Sequence, residues 1–287
     1  MPLASIPSPG HAAWHLGPLP VRAYALSVIA GIVVAIAVAS RRYRRSGEKP
    51  GLILDVAAWA VPFGLAGALA HAILLDHRHL FGDEYQLWHA VTAGVAAIGV
   101  PGAVALGALG ALIACRRSGT GLGPVAGAVA PALAFGLALG GLGNWWAQQF
   151  YGPPSTWWWA VRIAPTHRVP GYENYATFQP AFLYQSLWEV ALGFAVIWAA
   201  RRFALSGERT FMLCAAGYAA GGIWIELLRV GPLPHVLGVR YGALGDIAVF
   251  VLAAAGMYLT RPGRRPPARQ PAKRAVVEDS SGDVMSV

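Results

Sequence analysis

The chain has 287 residues, of which 56% are hydrophobic and only 12% charged, with a mean hydropathy of +0.50. Soluble domains carry about 25% charged residues, so the shortage of charge argues against a water-facing globule and for a lipid bilayer. The net charge of +9 does not indicate a nucleic-acid partner, because the basic residues cluster after apolar runs instead of lining a binding face.

A membrane span needs about 20 mostly apolar residues to cross roughly 30 Å of hydrocarbon. In chain order, residues 21–40, 52–75, 88–114, 124–143, 181–200, 210–228 and 243–260 meet that requirement. The expected fold is therefore an all-α integral membrane protein with seven transmembrane helices. Residues 1–260 form one membrane domain without a convincing internal repeat. Residues 261–287, rich in Pro and Arg and ending in "VVEDSSGDVMSV", are expected to be a basic, disordered cytoplasmic tail. The N-terminus lacks a basic region before its first apolar run, so no cleaved signal peptide is expected. Cys115 and Cys214 lie in or beside apolar segments, and their spacing suggests neither a disulfide framework nor a metal site.

Seven spans place the termini on opposite sides. With the tail inside, the clusters Arg41, Arg42, Arg44, Arg45 and Lys49, then Arg116 and Arg117, then Arg201, Arg202 and Arg209, and six more from Arg261 to Arg274, are all cytoplasmic. Sixteen of the 22 basic residues then obey the positive-inside rule, so the N-terminus is expected outside. The outer ends hold Arg22, Tyr24, the loop 76–87, the long segment 144–180 and the stretch 226–241. Glu189, Glu226 and Arg229 lie in or at the ends of spans. A charge at a span centre costs about 2.5–3.5 kcal/mol on insertion scales, so each needs a partner, a wet cavity or a route to the interface.

Three stretches combine polar groups with small residues. "GGLGNWWAQQFYG" (140–152) ends the fourth span; its glycines permit close approach of backbone or headgroup, and the Asn144 amide both donates and accepts. With Trp157–Trp159 it also reads as an interfacial aromatic belt packed through glycines. "FQPAFLYQSLWE" (178–189) opens the fifth span with Pro180 near its first turn. There Gln185 and Glu189 are one turn apart, beside Tyr184 and Gln179. "GYAAGGIWIELLRVG" (217–231) places Tyr218, Gly222, Glu226 and Arg229 at spacings that share one helical stripe. His235 and Arg240 follow. The pair His77 and His79 beside Asp76 lacks further ligands and reads as a wet loop, not a metal site. No nucleotide loop or serine elbow is present, and "GGLGN" lacks the strand and spacing of a dinucleotide fingerprint.

Taken together, these stretches and "PVRAYAL" (20–26) resemble the bacterial prolipoprotein diacylglyceryl transferases over about residues 18–260. Gly140, Gly143, Asn144, Trp145 and Gly152 match the family's signature near the fourth span. "FQPAFLYQSLWE" looks like its Pro-containing Leu-Tyr-Glu segment, and "GYAAGGIWIELLR" like its Tyr-Arg-Glu-Arg helix. The resemblance implies a multi-pass enzyme of the bacterial cytoplasmic (inner) membrane. It implies transfer of the diacylglyceryl group of phosphatidylglycerol to the lipobox cysteine thiol of a preprolipoprotein, with glycerol phosphate released and no cofactor or metal used. The partners it implies are phosphatidylglycerol, lipobox-containing preprolipoproteins and membrane lipids. Carried over by position, Asn144, Tyr218 and Glu226 are the expected catalytic residues. Tyr24, Gln149, Gly152, Tyr184, Arg229 and Arg240 are the expected substrate-binding residues. A phosphate leaving group calls for such cationic donors, and the nucleophile is the thiolate.

The departures are coordinated. Gly141, Gly222 and Leu69 stand where the family has arginines, and Gln149 and Gln185 where it has glutamates. The family's histidine-bearing segment before the third span has no counterpart in "LWHAVTAGVAAIG". Losing cations and neutralising neighbouring carboxylates go together, because unpaired buried anions are costly. Two readings follow. One is an active transferase relying on Arg229, Arg240 and Arg22. The other is a catalytically impaired paralogue that binds lipids or lipoprotein precursors. A small-solute transporter fits least, without inverted repeats or broken mid-membrane helices.

Overall fold

The computed structural model describes residues 5–10, 12–16, 19–75, 100–231, 235–236 and 239–260. Long helices dominate: α1 (Ala23–Arg45), α2 (Leu52–Leu75), α3 (Val100–Arg117), α4 (Leu122–Gly141), α6 (Ala181–Arg202), α7 (Gly207–Leu228) and α8 (Tyr241–Leu259). A single short turn of helix, α5 (Asn144–Ala147), follows α4. Six segments are long and apolar enough to cross a bilayer: Ala23–Arg45, Leu52–His71, Leu122–Ala147, Ala181–Arg202, Gly207–Leu228 and Gly242–Leu259. Each overlaps a span expected from the sequence. The remaining expected span, 88–114, is helical from Val100; its first part, like the loop 76–87 and the tail from Arg261, lies outside the described residues.

Local chemistry explains where the helices begin and end. α1 runs through the basic cluster to Arg45, five residues beyond its expected end, because nothing breaks it before Gly47 and Pro50. Arginines in its last turn also favour the negative end of the helix dipole. α7 is capped by Ser206, whose hydroxyl accepts from the Arg209 amide at 3.4 Å, with Glu208 in the first turn.

The helices associate through small residues, as expected where lipid provides no hydrophobic drive between them. α1 packs on α4, α2 on α3, and α7 on α8, α4 and α6. A β-carbon added at Gly31 would collide with the Gly136 carbonyl, and one added at Gly136 would stand 2.9 Å from the Ala35 side chain, so these two backbones touch directly. Buried Ala39, Tyr43, Ile53, Cys115 and Val125 join α1–α4 at one end of the bundle. Ala130, Ala134, Val196 and Cys214 join α4, α6 and α7. Many other large apolar side chains, among them Leu227, Leu252 and Trp198, are exposed, as a lipid-facing surface requires.

At the other end, residues 148–180 fold into a small cap. Strands Val161–Arg162 and Thr177–Phe178 pair antiparallel, and Ile6 adds alongside Val161 in parallel. The cap has its own core of Tyr151, Val161, Ile163, Phe178 and Phe182. The Tyr151 hydroxyl donates to the His167 carbonyl at 2.8 Å and accepts from the Val169 amide at 2.9 Å. Burial raises its pKa, an effect opposed by that amide. Two hairpins, Ala13–Leu16 with Leu19–Arg22 and His235–Val236 with Val239–Arg240, lead into α1 and α8.

Candidate functional site

The end of α7 and the start of α8 bring three ionisable groups together. Glu226, buried in the last turn of α7, faces two cations: Arg229 Nη1 lies 3.5 Å from Oε2, and Arg240 Nε 3.2 Å from Oε1. Arg229 is the first residue beyond the helix and Arg240 the residue that starts α8. Arg240 also donates to the carbonyls of Arg229 and, at 3.3 Å, Gly231. Gly242 allows this approach, since a β-carbon there would stand 3.1 Å from the Glu226 carboxyl carbon. Burial lowers the Arg229 pKa, Glu226 opposes that shift, and Arg240 adds to it. Two guanidinium groups against one carboxylate leave a local excess of one positive charge. Both arginines line an open cavity of about 470 Å³, with Pro153, Tyr172, Leu228 and Gly231 among its walls.

The stretch that ends the fourth span reaches this cluster through Phe150. The Arg229 guanidinium sits 4.4 Å from the centre of the Phe150 ring, a cation–π contact. Phe150 and Gln148 both adopt positive φ, 59° and 50°, so the chain after α5 is bent sharply. The bend is held by backbone bonds: the Phe182 amide donates to the Phe150 carbonyl at 2.9 Å, and the Val230 amide to the Tyr151 carbonyl at 3.1 Å. Gly152 packs where a β-carbon would stand 3.2 Å from both the Leu228 carbonyl and the Gln179 side chain.

The expected site residues thus fall into neighbourhoods. Glu226, Arg229, Arg240 and Gly152 come together at the end of α7. Asn144 and Tyr24 meet at the elbow after α4: the Asn144 amide donates to the Gly141 carbonyl at 2.9 Å, and Tyr24 packs on Gly143. Asn144 makes no side-chain hydrogen bond to the 218–240 stretch among the described residues. Gln149 is tied to the same elbow by its backbone, its amide donating to the Asn144 carbonyl at 3.1 Å. Tyr184 instead accepts from Trp159 Nε1 at 2.8 Å, joining the aromatic belt. Tyr218 lies deeper along α7, within electrostatic reach of Glu189 and Asp246. Gln185 donates to Glu189 at 2.9 Å, leaving the second carboxylate oxygen of Glu189 buried without a hydrogen-bond partner.

Three participants are absent from the sequence-level site. Phe150 carries no polar group and gave no signal. Ser186 faces Gly141, 3.0 Å from where a β-carbon would be, with its hydroxyl buried and unpartnered. Asp246 of α8 packs directly on Gly222, filling the space a side chain there would take. An acid within an otherwise apolar helix was a readable signal for Asp246.

Residues 11–259 match the family model described as prolipoprotein diacylglyceryl transferase. The phosphatidylglycerol–prolipoprotein diacylglyceryl transferase of Streptomyces avermitilis is 42% identical, in an alignment covering 99% of this chain and 81% of that protein. Similarly named proteins of Frankia alni and Mycobacteroides abscessus are 42% and 38% identical over 91% and 93% of this chain, and 69% and 81% of their own lengths.

Proposed function

This chain belongs to the prolipoprotein diacylglyceryl transferase family, and from that membership we propose that it transfers the diacylglyceryl group of phosphatidylglycerol to the lipobox cysteine of preprolipoproteins. The observation that carries the reading is the Arg229–Glu226–Arg240 cluster beside an open cavity. Its net positive charge suits a phosphodiester, and it suits the phosphate still better as that group leaves and its charge grows. The thiolate sulfur forms a bond to the glycerol carbon as the bond from that carbon to the phosphate oxygen breaks. Glycerol phosphate leaves, and the thiol proton passes to a base.

In this reading Glu226 orients the two arginines, while Asn144 and Tyr218 donate to reacting groups. Tyr24, Gln149, Gly152 and Tyr184 shape the lipid-binding walls along with Arg229 and Arg240. The chain spans the cytoplasmic membrane seven times, with 88–114 as the third span, the N-terminus outside and the basic tail inside. The sixteen inner basic residues support that orientation.

Asp246 against Gly222 and the absence of a cation at Gly141 favour a second reading, a lipid- or precursor-binding paralogue with little turnover. One experiment separates the two. Full-length protein in phosphatidylglycerol vesicles is mixed with a lipobox peptide, and thioether-linked lipid is sought by mass spectrometry. Turnover lost on Arg240→Ala supports the transferase; phosphatidylglycerol binding without any modified peptide supports the paralogue.

A further inference from the structure

The cavity beside Arg229 and Arg240 has a second wall, made by the cap. Leu227, 72% exposed on the lipid-facing surface of α7, borders the cavity on one side, and Val169, Pro170 and Tyr172 of the cap border it on the other. Apart from the two arginines, every residue lining it among those described is Pro, Val, Leu or Gly, except Tyr172. Tyr172 therefore supplies the one neutral hydrogen-bonding side chain of this cavity. Its hydroxyl has no hydrogen-bond partner among the described residues.

The ring is held in place. It stands edge-on to Phe178 with centroids 6.3 Å apart, and it packs against the buried core of the cap. The segment that carries it is pinned as well. Arg168 Nη1 donates to the Glu173 carbonyl at 2.7 Å, and the Gly171 amide donates to the Glu173 carboxylate at 2.9 Å. Gly171 turns the chain there with a φ of 89°, a conformation that favours glycine. A phenol fixed in this way gives up little freedom when it binds a ligand.

Charge and direction narrow what the cavity takes. A phosphodiester on the two guanidinium groups can run its acyl chains out over Leu227 and turn its headgroup to the cap wall. No acid lines the cavity among the described residues, and Glu226 is already shared between the arginines. An ammonium headgroup would meet a local excess of positive charge there. An uncharged, hydroxylated headgroup meets a phenol that both donates and accepts. We propose that Tyr172 selects the glycerol headgroup of phosphatidylglycerol, its hydroxyl bonding a headgroup hydroxyl while Arg229 and Arg240 hold the phosphate. Tyr172 has this role only if the cavity is the lipid site, as the transferase reading holds.

Full-length protein in neutral detergent is titrated with two lipids of equal charge, dioleoyl phosphatidylglycerol and dioleoyl phosphatidylmethanol, and retention is read by native mass spectrometry. Phosphatidylmethanol keeps the phosphodiester but lacks the headgroup hydroxyls. Tyr172→Phe keeps the ring on Phe178. It should lower phosphatidylglycerol affinity about fivefold, the loss of one hydrogen bond, and leave phosphatidylmethanol affinity unchanged, which also reports an intact cavity. Arg240→Ala should weaken both lipids. Unchanged phosphatidylglycerol affinity in Tyr172→Phe, with both lipids weakened by Arg240→Ala, would overturn the role of Tyr172 and spare the site. Equal loss of both lipids in Tyr172→Phe would overturn it too, by making the residue a structural support. No effect of Arg240→Ala on either lipid would remove the site, and the role of Tyr172 with it. Phosphatidylethanolamine should bind the wild type more weakly than either lipid; equal binding would overturn the exclusion of ammonium headgroups.

Discussion

Asp246 of α8 and Gly222 of α7 are in direct contact: the Asp246 carboxylate takes the room that a side chain at position 222 would occupy. The contact decides what placing a cation there would mean. An arginine at 222 must push the carboxylate aside, and a flexible aspartate can yield and then pair with it.

Gly222→Arg should therefore fold with its charge matched by Asp246, and with Gly141→Arg and Gln149→Glu it should raise thioether formation on a lipobox peptide. Adding Asp246→Asn should cancel the gain. An unpaired arginine within a span costs about 2.5–3.5 kcal/mol on insertion scales. Mass spectrometry of the peptide, with thermal melting of each variant, checks both halves.

Glu226→Gln should be strongly destabilising. It leaves the largely buried side chains of Arg229 and Arg240 without their shared anion. Breaking such an arrangement costs about 3 kcal/mol or more. Melting in detergent should show the loss, and Arg240→Ala in the Glu226→Gln background should recover part of it, since one of the two opposed cations is then gone.

Phe150→Leu should keep the fold of the cap but weaken phosphatidylglycerol binding. The change preserves bulk while removing the ring beneath Arg229, a contact of about 0.5–2 kcal/mol. Lipid titration by native mass spectrometry would check it; unchanged affinity would mean that the ring does not position Arg229.

Gly31→Ala should loosen the α1–α4 pair, because the new methyl meets the Gly136 carbonyl. Overpacking of this kind costs about 1–3 kcal/mol. The expected result is a lower melting temperature, whereas Gly10→Ala, with nothing near its added carbon, should be neutral.

Orientation is open to chemical labelling, since both native cysteines are buried. Thr166→Cys, in the exposed part of the cap, should react with an impermeant thiol reagent in intact cells. Phe203→Cys should react only after the membrane is opened. The reverse pattern would invert the topology.

The sequence alone pointed to a lipid solvent and located, to within a few residues, six membrane-spanning helices, because hydropathy is a sum along the chain and needs no partner. It also marked Glu189, Glu226 and Arg229 as groups requiring company, since a charge in or beside a span cannot stand alone. The match of Asn144 and its glycines to a family pattern was legible for the same reason: those spacings are local. Which groups keep company was not legible. Glu226 meets Arg240 across a turn between helices, Phe150 lies under Arg229 because of two positive-φ residues, and Asp246 fills the gap at Gly222 from another helix. Tyr184, grouped by sequence with the polar face of its helix, turns to Trp159. Those pairings depend on how closely glycine-bearing helix faces approach, and on a cap whose backbone bonds link residues far apart in the chain. Only tertiary packing sets such distances.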